Sequence, residues 1–455
     1  MSVHPKALHC GIDFGTINSS LSISLGKIPQ SIPLDPQNTN PFVFKSLIYF
    51  NPQNQYFLSS DAISHYLNDL KNFPSKPLRL KYTGRFIKTF GPSTGSGVGP
   101  PIFVPEIIEV DDSGRGRLLQ SLKSVLTSSS FTGTKIFEQF YSLEDLLTIL
   151  LSQIKIRAES QIKHSLESVV IGRPVRYVGS SQDKTAINRM TKIAKKSGFK
   201  NIHFEFEPVG AALNYGLNVV KNQKILVFDF GGGTLDVCIM KFPEKKVIAV
   251  SGRPIGGDLL NSHLIKSKVI HYFGANTIIN GKMPFPRHHF SAFNSWYQTT
   301  LQKTVKNIGN LEDLAIKSNN PALVRNLINL INNDYGFDFF RTIDQTKINL
   351  SSTAQELFDF SRPGLSIQEP ISRSDFEHSI ADDLQDSRQC IFDSLSLANL
   401  KPENIDQVIL TGGSSQIPIF IDMITKIFTQ QKLVTSDHFT AVAQGLALRA
   451  EEVFS

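Results

Sequence analysis

The stretch KILVFDFGGGTLDVCIM, residues 224–240, decides the fold of this chain. An apolar strand ends in Asp229, a glycine turn with Thr234 follows, and the apolar alternation of a second strand then resumes. The opening segment ALHCGIDFGTINSSLSISL, residues 7–25, has the same order, with Asp13 at the end of its first strand. A motif that is repeated at a domain-sized distance predicts two similar lobes that face each other.

The pattern of strands and helices in the rest of the chain favours an α/β protein. Apolar strands such as SVVIGRPV (168–175) and NIHFEFEP (201–208) alternate with segments of helical periodicity. Residues 263–350 have mostly helical patterns, and the strand QVILTGG (407–413) precedes two further helices. Strands that alternate with helices predict a sheet covered by helices.

Residues 28–117 differ from their surroundings in composition. They are rich in Pro, Asn, Gln and Ser, and they include GPSTGSGVGPP at 91–101, which predicts a flexible loop. The region lacks sustained alternation, so it is a poor candidate for a sheet. We interpret it as a loosely structured insertion, and loops carried by a rigid scaffold are suited to docking.

The overall composition is that of an ordinary globular protein, with 40% hydrophobic and 19% charged residues among 455. A net charge of +7 is mild for this length, and no long block of like charges points to a nucleic acid. Three isolated cysteines without a C-x-x-C pair favour a reduced, cytoplasmic protein. No run of about 18 apolar residues spans a membrane. We therefore expect neither nucleic acid nor membrane as a partner.

The glycine turns are the strongest chemical signal. Successive backbone N–H groups in such a turn can cradle a phosphate. Either turn alone is equally typical of a common hairpin, but two of them, each led by a carboxylate, favour a phosphate ligand. Carboxylates beside phosphates need a cation, so Asp13 and Asp229 predict Mg²⁺ held through water. A third glycine motif, LTGGSSQIP (410–418), follows a strand and opens a helix, which suits an anion or a ribose.

Six ordered segments together resemble a known family: GIDFGTINS, VVIGRPV, FEPVGAALNYG, FDFGGGTLDV, KINLSS and ILTGGSSQIP. They are similar to the nucleotide-binding domain of DnaK-type heat-shock chaperones, which belong to the actin-like ATPases. The resemblance implies an α/β, actin-like ATPase fold with two ribonuclease-H-like lobes around a cleft for ATP or ADP with Mg²⁺. The chain ends directly after its last predicted helix, as in the short YegD-like members without a peptide-binding domain. We therefore expect no ATP-sensitive peptide binding by this chain alone.

The resemblance also implies a division of the chain into lobes. Lobe I is expected at 1–220, with its core at 1–27 and 141–220 and an insertion at 28–140. Lobe II is expected at 221–455, with its core at 221–262 and 351–436, a helical subdomain at 263–350, and a final helix, 437–455, that returns to lobe I.

Site residues are carried over from the family's motifs position by position. The implied catalytic residues are Asp13, Lys123, Glu207, Asp229 and Thr234, of which Asp13, Glu207 and Asp229 would hold Mg²⁺ through water. The implied nucleotide-binding residues are Gly15, Thr16, Ile17, Asn18, Gly231, Gly232, Gly233, Gly256, Gly257, Asp258, Asp344, Lys347, Ile348, Ser351, Gly412, Gly413 and Ser414. Pro174 matches a proline that relays the nucleotide state between the lobes.

Two of these assignments depart from the family or leave alternatives. The catalytic lysine is placed at Lys123, in LQSLKSVLTSS; Lys88, in RFIKTFG, is the alternative, and a surface lysine is the simpler reading of either. Ile348 and Gln416 stand where the family has arginines, so a cation–π attraction of about 0.5–2 kcal/mol each is lost. Weaker or less selective adenine binding is expected.

We expect a slow ATPase of the DnaK-like chaperone family, acting as a monomer with an unidentified protein client. Two alternatives stay open. One is a small-molecule kinase of the same fold, and the other is a nucleotide-switched scaffold or filament protein.

Overall fold

The computed structural model describes residues 8–26, 28–76, 78–90, 101–128, 131–175, 183–219, 221–435 and 439–455. The strands are β1 (His9–Phe14), β2 (Asn18–Leu25), β3 (Ile28–Ser31), β4 (Phe44–Lys45), β5 (Leu47–Phe50), β6 (Tyr56–Leu58), β7 (Arg79–Phe90), β8 (Pro101–Val110), β9 (Arg117–Gln120), β10 (Gly133–Ile136), β11 (Gln139–Ser142), β12 (Ser168–Arg173), β13 (Asn201–Phe206), β14 (Gln223–Phe230), β15 (Leu235–Phe242), β16 (Lys246–Arg253), β17 (Ile278–Ile279), β18 (Met283–Pro284), β19 (Gln355–Arg362), β20 (Leu365–Ser372), β21 (Gln407–Thr411) and β22 (Leu433–Thr435). The helices are α1 (Ser59–Asn72), α2 (Leu143–Ile162), α3 (Asp183–Lys196), α4 (Glu207–Tyr215), α5 (Gly257–Leu264), α6 (Trp296–Leu301), α7 (Val305–Lys317), α8 (Pro321–Asn332), α9 (Gly336–Leu350), α10 (Arg373–Ser379), α11 (Ala381–Leu397), α12 (Pro418–Phe428) and α13 (Ala441–Phe454).

Two central sheets share one plan. The first has the order β3-β2-β1-β12-β13, with β4 added on β2, and the second has the order β16-β15-β14-β21-β22. In each sheet the first three of these five strands in chain order pair antiparallel. The last two are parallel: β12 pairs with β1 and β13 with β12 in the first sheet, and β21 pairs with β14 and β22 with β21 in the second. The predicted α/β class and the repeat of a similar lobe are confirmed, whereas the exact lobe boundaries stay a prediction.

Helices cover each sheet with an apolar face. In the first lobe, Ile12 of β1 is buried together with Leu150 of α2 and Ile193 of α3. Helix α2 begins after Ser142, because the Ser142 hydroxyl accepts a hydrogen bond from the Asp145 N–H and the Asp145 carboxylate accepts one from the Ser142 N–H. The second lobe has its own larger core, built on β14, β15 and β21.

Helices α4 and α13 carry the chain between the lobes and touch backbone to backbone. Helix α4 links β13 of the first sheet to β14 of the second, and α13 follows β22 and packs on β1. A Cβ atom built on Gly445 would lie 1.6 Å from the carbonyl oxygen of Gly210, and one built on Gly11 would lie 2.1 Å from the Ala447 nitrogen. Only glycine permits these approaches. We call the crossing of Gly210 and Gly445 the glycine crossing.

The expectation of a loosely structured 28–117 region is wrong for most of its described residues. Strands β5, β6 and β9 form a small sheet against α1, and β7 and β8 pair over most of their length as a hairpin. Two features hide the alternation of apolar and polar residues in this hairpin. Gly84 lies where the register shifts between Tyr82 and Phe86, and Pro105, which is unusual within a strand, lies in β8. Of the flexible loop predicted at 91–101, residues 91–100 lie outside the described residues, and Pro101 begins β8. Among the described helices, none has the length and apolar character needed to cross a membrane.

Candidate functional site

The two glycine turns line one cavity of about 730 Å³. The first turn joins β1 to β2 and the second joins β14 to β15, so each sheet delivers one turn to the cavity. The predicted site residues line this cavity with one exception, Gly256. That residue lies behind the second turn, where a Cβ atom would be 2.3 Å from the Gly232 carbonyl oxygen. The sequence prediction therefore brings together residues from both lobes.

Carboxylates gather at the strand ends that lead into the turns. Burial and the neighbouring Glu207 together raise the pKa of Asp13 to about 7, although Lys123 acts in the opposite direction. Burial and Glu207 also raise the pKa of Asp229 well above its usual value. Carboxylates that repel one another in this way attract a cation, and oxygen donors suit Mg²⁺. Among the described residues, no three His, Cys, Asp or Glu side chains are close enough together to hold a metal directly.

Lys123 reaches the same part of the cavity from the first lobe. It lies in a short 3₁₀ turn after β9, and its Nζ atom is 2.9 Å from Glu207 Oε1. The Lys123 side chain is 8% exposed and that of Glu207 is 14% exposed, so the pair lies inside the cavity wall. The alternative, Lys88, is an exposed residue of strand β7. Of these two lysines, Lys123 lines the cavity and Lys88 does not.

Asp236 belongs to this site, although it was not among the predicted residues. It is 1% exposed; its carboxylate accepts hydrogen bonds from the Thr234 hydroxyl and the Val175 N–H, each at 3.0 Å. Burial, with Glu207, raises its pKa to about 8. Val175 follows Pro174, so Asp236 joins the second glycine turn to a loop of the first lobe. The available signal was a charged residue within the apolar strand LDVCIM.

The other half of the cavity is lined by residues predicted to bind the nucleoside. Lys347 Nζ is 2.8 Å from Asp344 Oδ1 and 3.2 Å from the Gly257 carbonyl oxygen. The Ser414 hydroxyl donates to the Gly231 carbonyl oxygen at 3.1 Å, which ties the third glycine motif to the second turn. Gly412 has a φ of +78°, and a Cβ atom there would lie 2.3 Å from the Phe230 oxygen, so the turn requires glycine.

Two side chains of this half lack the charge that the family has there. Ile348 is 53% exposed and lines the cavity, as does Gln416. An aliphatic and an amide side chain can cover a flat ring, but they offer no cation–π attraction. Asp258, at the start of α5, is half-buried, and this partial burial raises its pKa to about 6, although Lys347 acts in the opposite direction.

The comparisons with known proteins agree with this arrangement. A family model described as Hsp70 protein matches residues 121–279 and 338–454. The chain belongs to the Hsp70 family. Among curated relatives, the chaperone protein DnaK of Mycoplasmopsis agalactiae is 26% identical over 360 residues, covering 76% of this chain and 51% of the relative. The DnaK of Thermosipho melanesiensis is 27% identical over 363 residues with the same coverage, and that of Cyanidioschyzon merolae is 23% identical over 454 residues, covering 97% of this chain and 61% of the relative.

The matches include only part of the relatives and only part of this chain. The chain spans about half the length of the first Hsp70-family relatives it matches. The family model covers the second glycine turn, Lys123, Glu207 and the third glycine motif, but its matched residues begin at 121. The insertion strands β3 to β9 therefore lie outside the matched part of this Hsp70-family chain.

Within this Hsp70-family chain, the insertion and the helices of the second lobe also touch each other directly. Asp334 accepts hydrogen bonds from Arg115 Nη1 at 3.0 Å and from Lys303 Nζ at 2.7 Å, and Lys303 is also 3.3 Å from Asp111. The side chain of Lys303 is 6% exposed and that of Arg115 is 8% exposed. We call Asp111, Arg115, Lys303 and Asp334 the bridge. These residues connect the two lobes at a place separate from helices α4 and α13.

Proposed function

We propose that this Hsp70-family chain binds Mg·ATP in the cavity and hydrolyses it slowly. The proposal depends mainly on one observation: two glycine turns, each led by a half-buried aspartate, face the same cavity beside the Lys123–Glu207 ion pair. Backbone N–H groups of the turns would donate to phosphate oxygens. Asp344, Lys347 and Ser414 would contact the nucleoside, with Ile348 covering the base.

The chain's own groups suggest how hydrolysis proceeds. Asp13, Asp229 and Glu207 would hold Mg²⁺ through water, and the ion would offset the negative charge of the phosphates. Lys123 would donate from Nζ to the γ-phosphate, where negative charge accumulates as the bond breaks, and the Thr234 hydroxyl would donate beside it. Glu207 would accept a hydrogen bond from the attacking water and so orient it. Asp236 would hold Thr234 in place through its 3.0 Å hydrogen bond.

Single-turnover hydrolysis tests this assignment. Lys123→Ala and Glu207→Ala are each expected to slow hydrolysis by about 10²–10³-fold, because each removes one contact to the transition state. Lys135→Ala is the matched control, since Lys135 pairs with Glu138 on the surface and both side chains are more than half exposed. Lys123→Ala with near wild-type turnover would show that the lysine is misplaced, and Lys88 would then be tested.

The partners and location are proposed more broadly. We expect a monomer that acts with a protein partner whose identity the sequence does not give. The three cysteines are buried free thiols, which fits the reducing conditions of the cytoplasm. ATP hydrolysis stimulated by a small hydroxylated compound, with transfer of phosphate to it, would instead favour a kinase.

A further inference from the structure

The β7–β8 hairpin of the insertion exposes an unusual amount of apolar surface. Seven large apolar side chains of the hairpin are between 41% and 67% exposed: Leu80, Tyr82, Phe86, Ile87, Ile102, Phe103 and Ile107. Among the described residues, no third strand pairs with either edge of the hairpin. It lies outside the residues that the Hsp70 family model matches.

Five of these side chains form a stripe on one face. Antiparallel partners point to the same side of a sheet, and Tyr82 pairs with Ile107, Phe86 with Pro105, and Lys88 with Phe103. Leu80 belongs to the same face, because it pairs with Glu109. We call Leu80, Tyr82, Phe86, Phe103 and Ile107 the hairpin stripe. An isolated two-stranded hairpin is marginally stable in water, so a stripe of this size points to a covering partner.

Strand β7 of the hairpin carries an excess of positive charge. The two carboxylates of the hairpin are both on β8, where Glu106 accepts a hydrogen bond from the Thr83 hydroxyl at 2.7 Å and Glu109 accepts one from the Val305 N–H at 2.9 Å, whereas strand β7 contains no acidic residue. By contrast, Lys81, Arg85 and Lys88, all on β7, make no ion pair among the described residues. The free charge along the β7 edge is therefore positive.

We propose that the β7 edge binds an extended segment of a partner protein in which acidic residues alternate with apolar ones. Backbone pairing with the free edge would supply affinity, and the hairpin stripe would bind the apolar side chains. Lys81 and Arg85, which lie on the other face, would pair with the carboxylates, and Lys88, opposite Phe103, would add positive charge at the end of the stripe. This inference does not depend on nucleotide binding, because none of these residues lines the nucleotide cavity.

Other occupants fit these observations less well. A second copy that paired β7 with β7 antiparallel would bring the same three cations into one small interface. A lipid surface needs an apolar tip, but the connecting sequence GPSTGSGVGP (91–100) has Val98 as its single large apolar residue. Single-stranded nucleic acid stacks on aromatic rings, whereas four of the seven exposed apolar side chains are aliphatic.

Fluorescence anisotropy with the full chain tests the proposal. The probe is a fluorescein-labelled peptide of 10 residues, the length of β8, in which Glu alternates with Val or Phe; the comparison peptide has Lys in place of Glu. We expect saturable binding of the Glu peptide alone, at least tenfold weaker in Phe86→Ser/Phe103→Ser. Phe140→Ser is the matched control, because Phe140 is 60% exposed, like Phe86, but lies on β11.

A charge reversal gives the second readout. Lys81→Glu/Arg85→Glu/Lys88→Glu is expected to lose the Glu peptide and to gain the Lys peptide, while its unfolding temperature shows that the fold persists. Equal binding of both peptides, no saturable binding, or an equal loss in Phe140→Ser would overturn the proposal. The proposal would also be overturned if the chain did not bind the peptide but instead dimerised, or bound phosphatidylserine vesicles or oligo-dT, and if the hairpin variants lost that interaction.

Discussion

Replacing Lys303 with methionine is expected to speed the release of nucleotide. Lys303 is the central cation of the bridge, 2.7 Å from Asp334 and 3.3 Å from Asp111. Methionine keeps most of the apolar stem and removes the ammonium group, so Asp334 retains only Arg115 as an ionic partner. The lobes would then be held together less firmly around the ligand.

The size of the effect follows from the exposure of the partners. A hydrogen bond to a charged group contributes about 1.5–3 kcal/mol. Asp334 is 20% exposed and Asp111 is 39% exposed, so water can replace part of what is lost, and the lower half of that range, about 1.5–2 kcal/mol, applies. If the bridge must break for release, this corresponds to release about 10–30 times faster.

The assay is stopped-flow release of a fluorescent N-methylanthraniloyl-ADP, chased with unlabelled ATP. Lys306→Met is the matched control, because Lys306 lies three residues after Lys303, in the first turn of α7, and is exposed without an ion pair among the described residues. A release rate of Lys303→Met within twofold of wild type would refute the role of the bridge. Equal acceleration in Lys306→Met would show that general charge, not the bridge, controls release.

Three further outcomes are expected. Mg·ATP at about 1,000 times its dissociation constant should add about 4 kcal/mol of stability, and an unfolding temperature unmoved by millimolar Mg·ATP or Mg·ADP would contradict nucleotide binding. Gly445→Ala should lower the free energy of unfolding in urea by about 3 kcal/mol, since its Cβ would meet the Gly210 oxygen, whereas Gly309→Ala, with nothing within 4 Å, should raise it by about 0.5–1 kcal/mol. The pKa of Asp236 is about 8 in the folded protein, above its unfolded value, so the free energy of unfolding of the wild type should fall as pH rises towards 8. Asp236→Asn has no such ionisation, so its stability relative to the wild type should increase from pH 5 to pH 8. A difference in stability that does not change with pH would contradict the buried carboxylate.

The sequence predicted those parts of the site whose chemistry is local. Each glycine turn is a short run that follows a strand ending in aspartate, so Asp13 and Asp229 could be read without the fold. Lys123 was reached through the resemblance, and its 2.9 Å contact with Glu207 joins residues that are 84 positions apart. Asp236 was missed because its importance comes from burial and from Val175, which lies on another lobe.

The insertion was the part least open to sequence reasoning. Pairing β7 with β8 requires a register shift at Gly84 and tolerates Pro105, both of which hide the alternation. The bridge joins Arg115 to Asp334, 219 positions later, and an ion pair between residues so far apart in the chain leaves no periodic pattern in the sequence. Such contacts depend on tertiary geometry, which local patterns do not contain.

The glycine crossing sets a geometric limit on the nucleotide cleft. At Gly210 and Gly445 no side chain separates α4 from α13, so the helices meet at the closest spacing that two backbones permit. Because α13 packs on β1 of the first sheet and α4 packs on β14 of the second, we expect this spacing to set the resting angle between the lobes. A larger residue at either position would wedge the helices apart and reset that angle. The width of the cleft is thus encoded at two positions that touch no ligand, and substitutions there would tune opening while leaving the chemistry of the site intact.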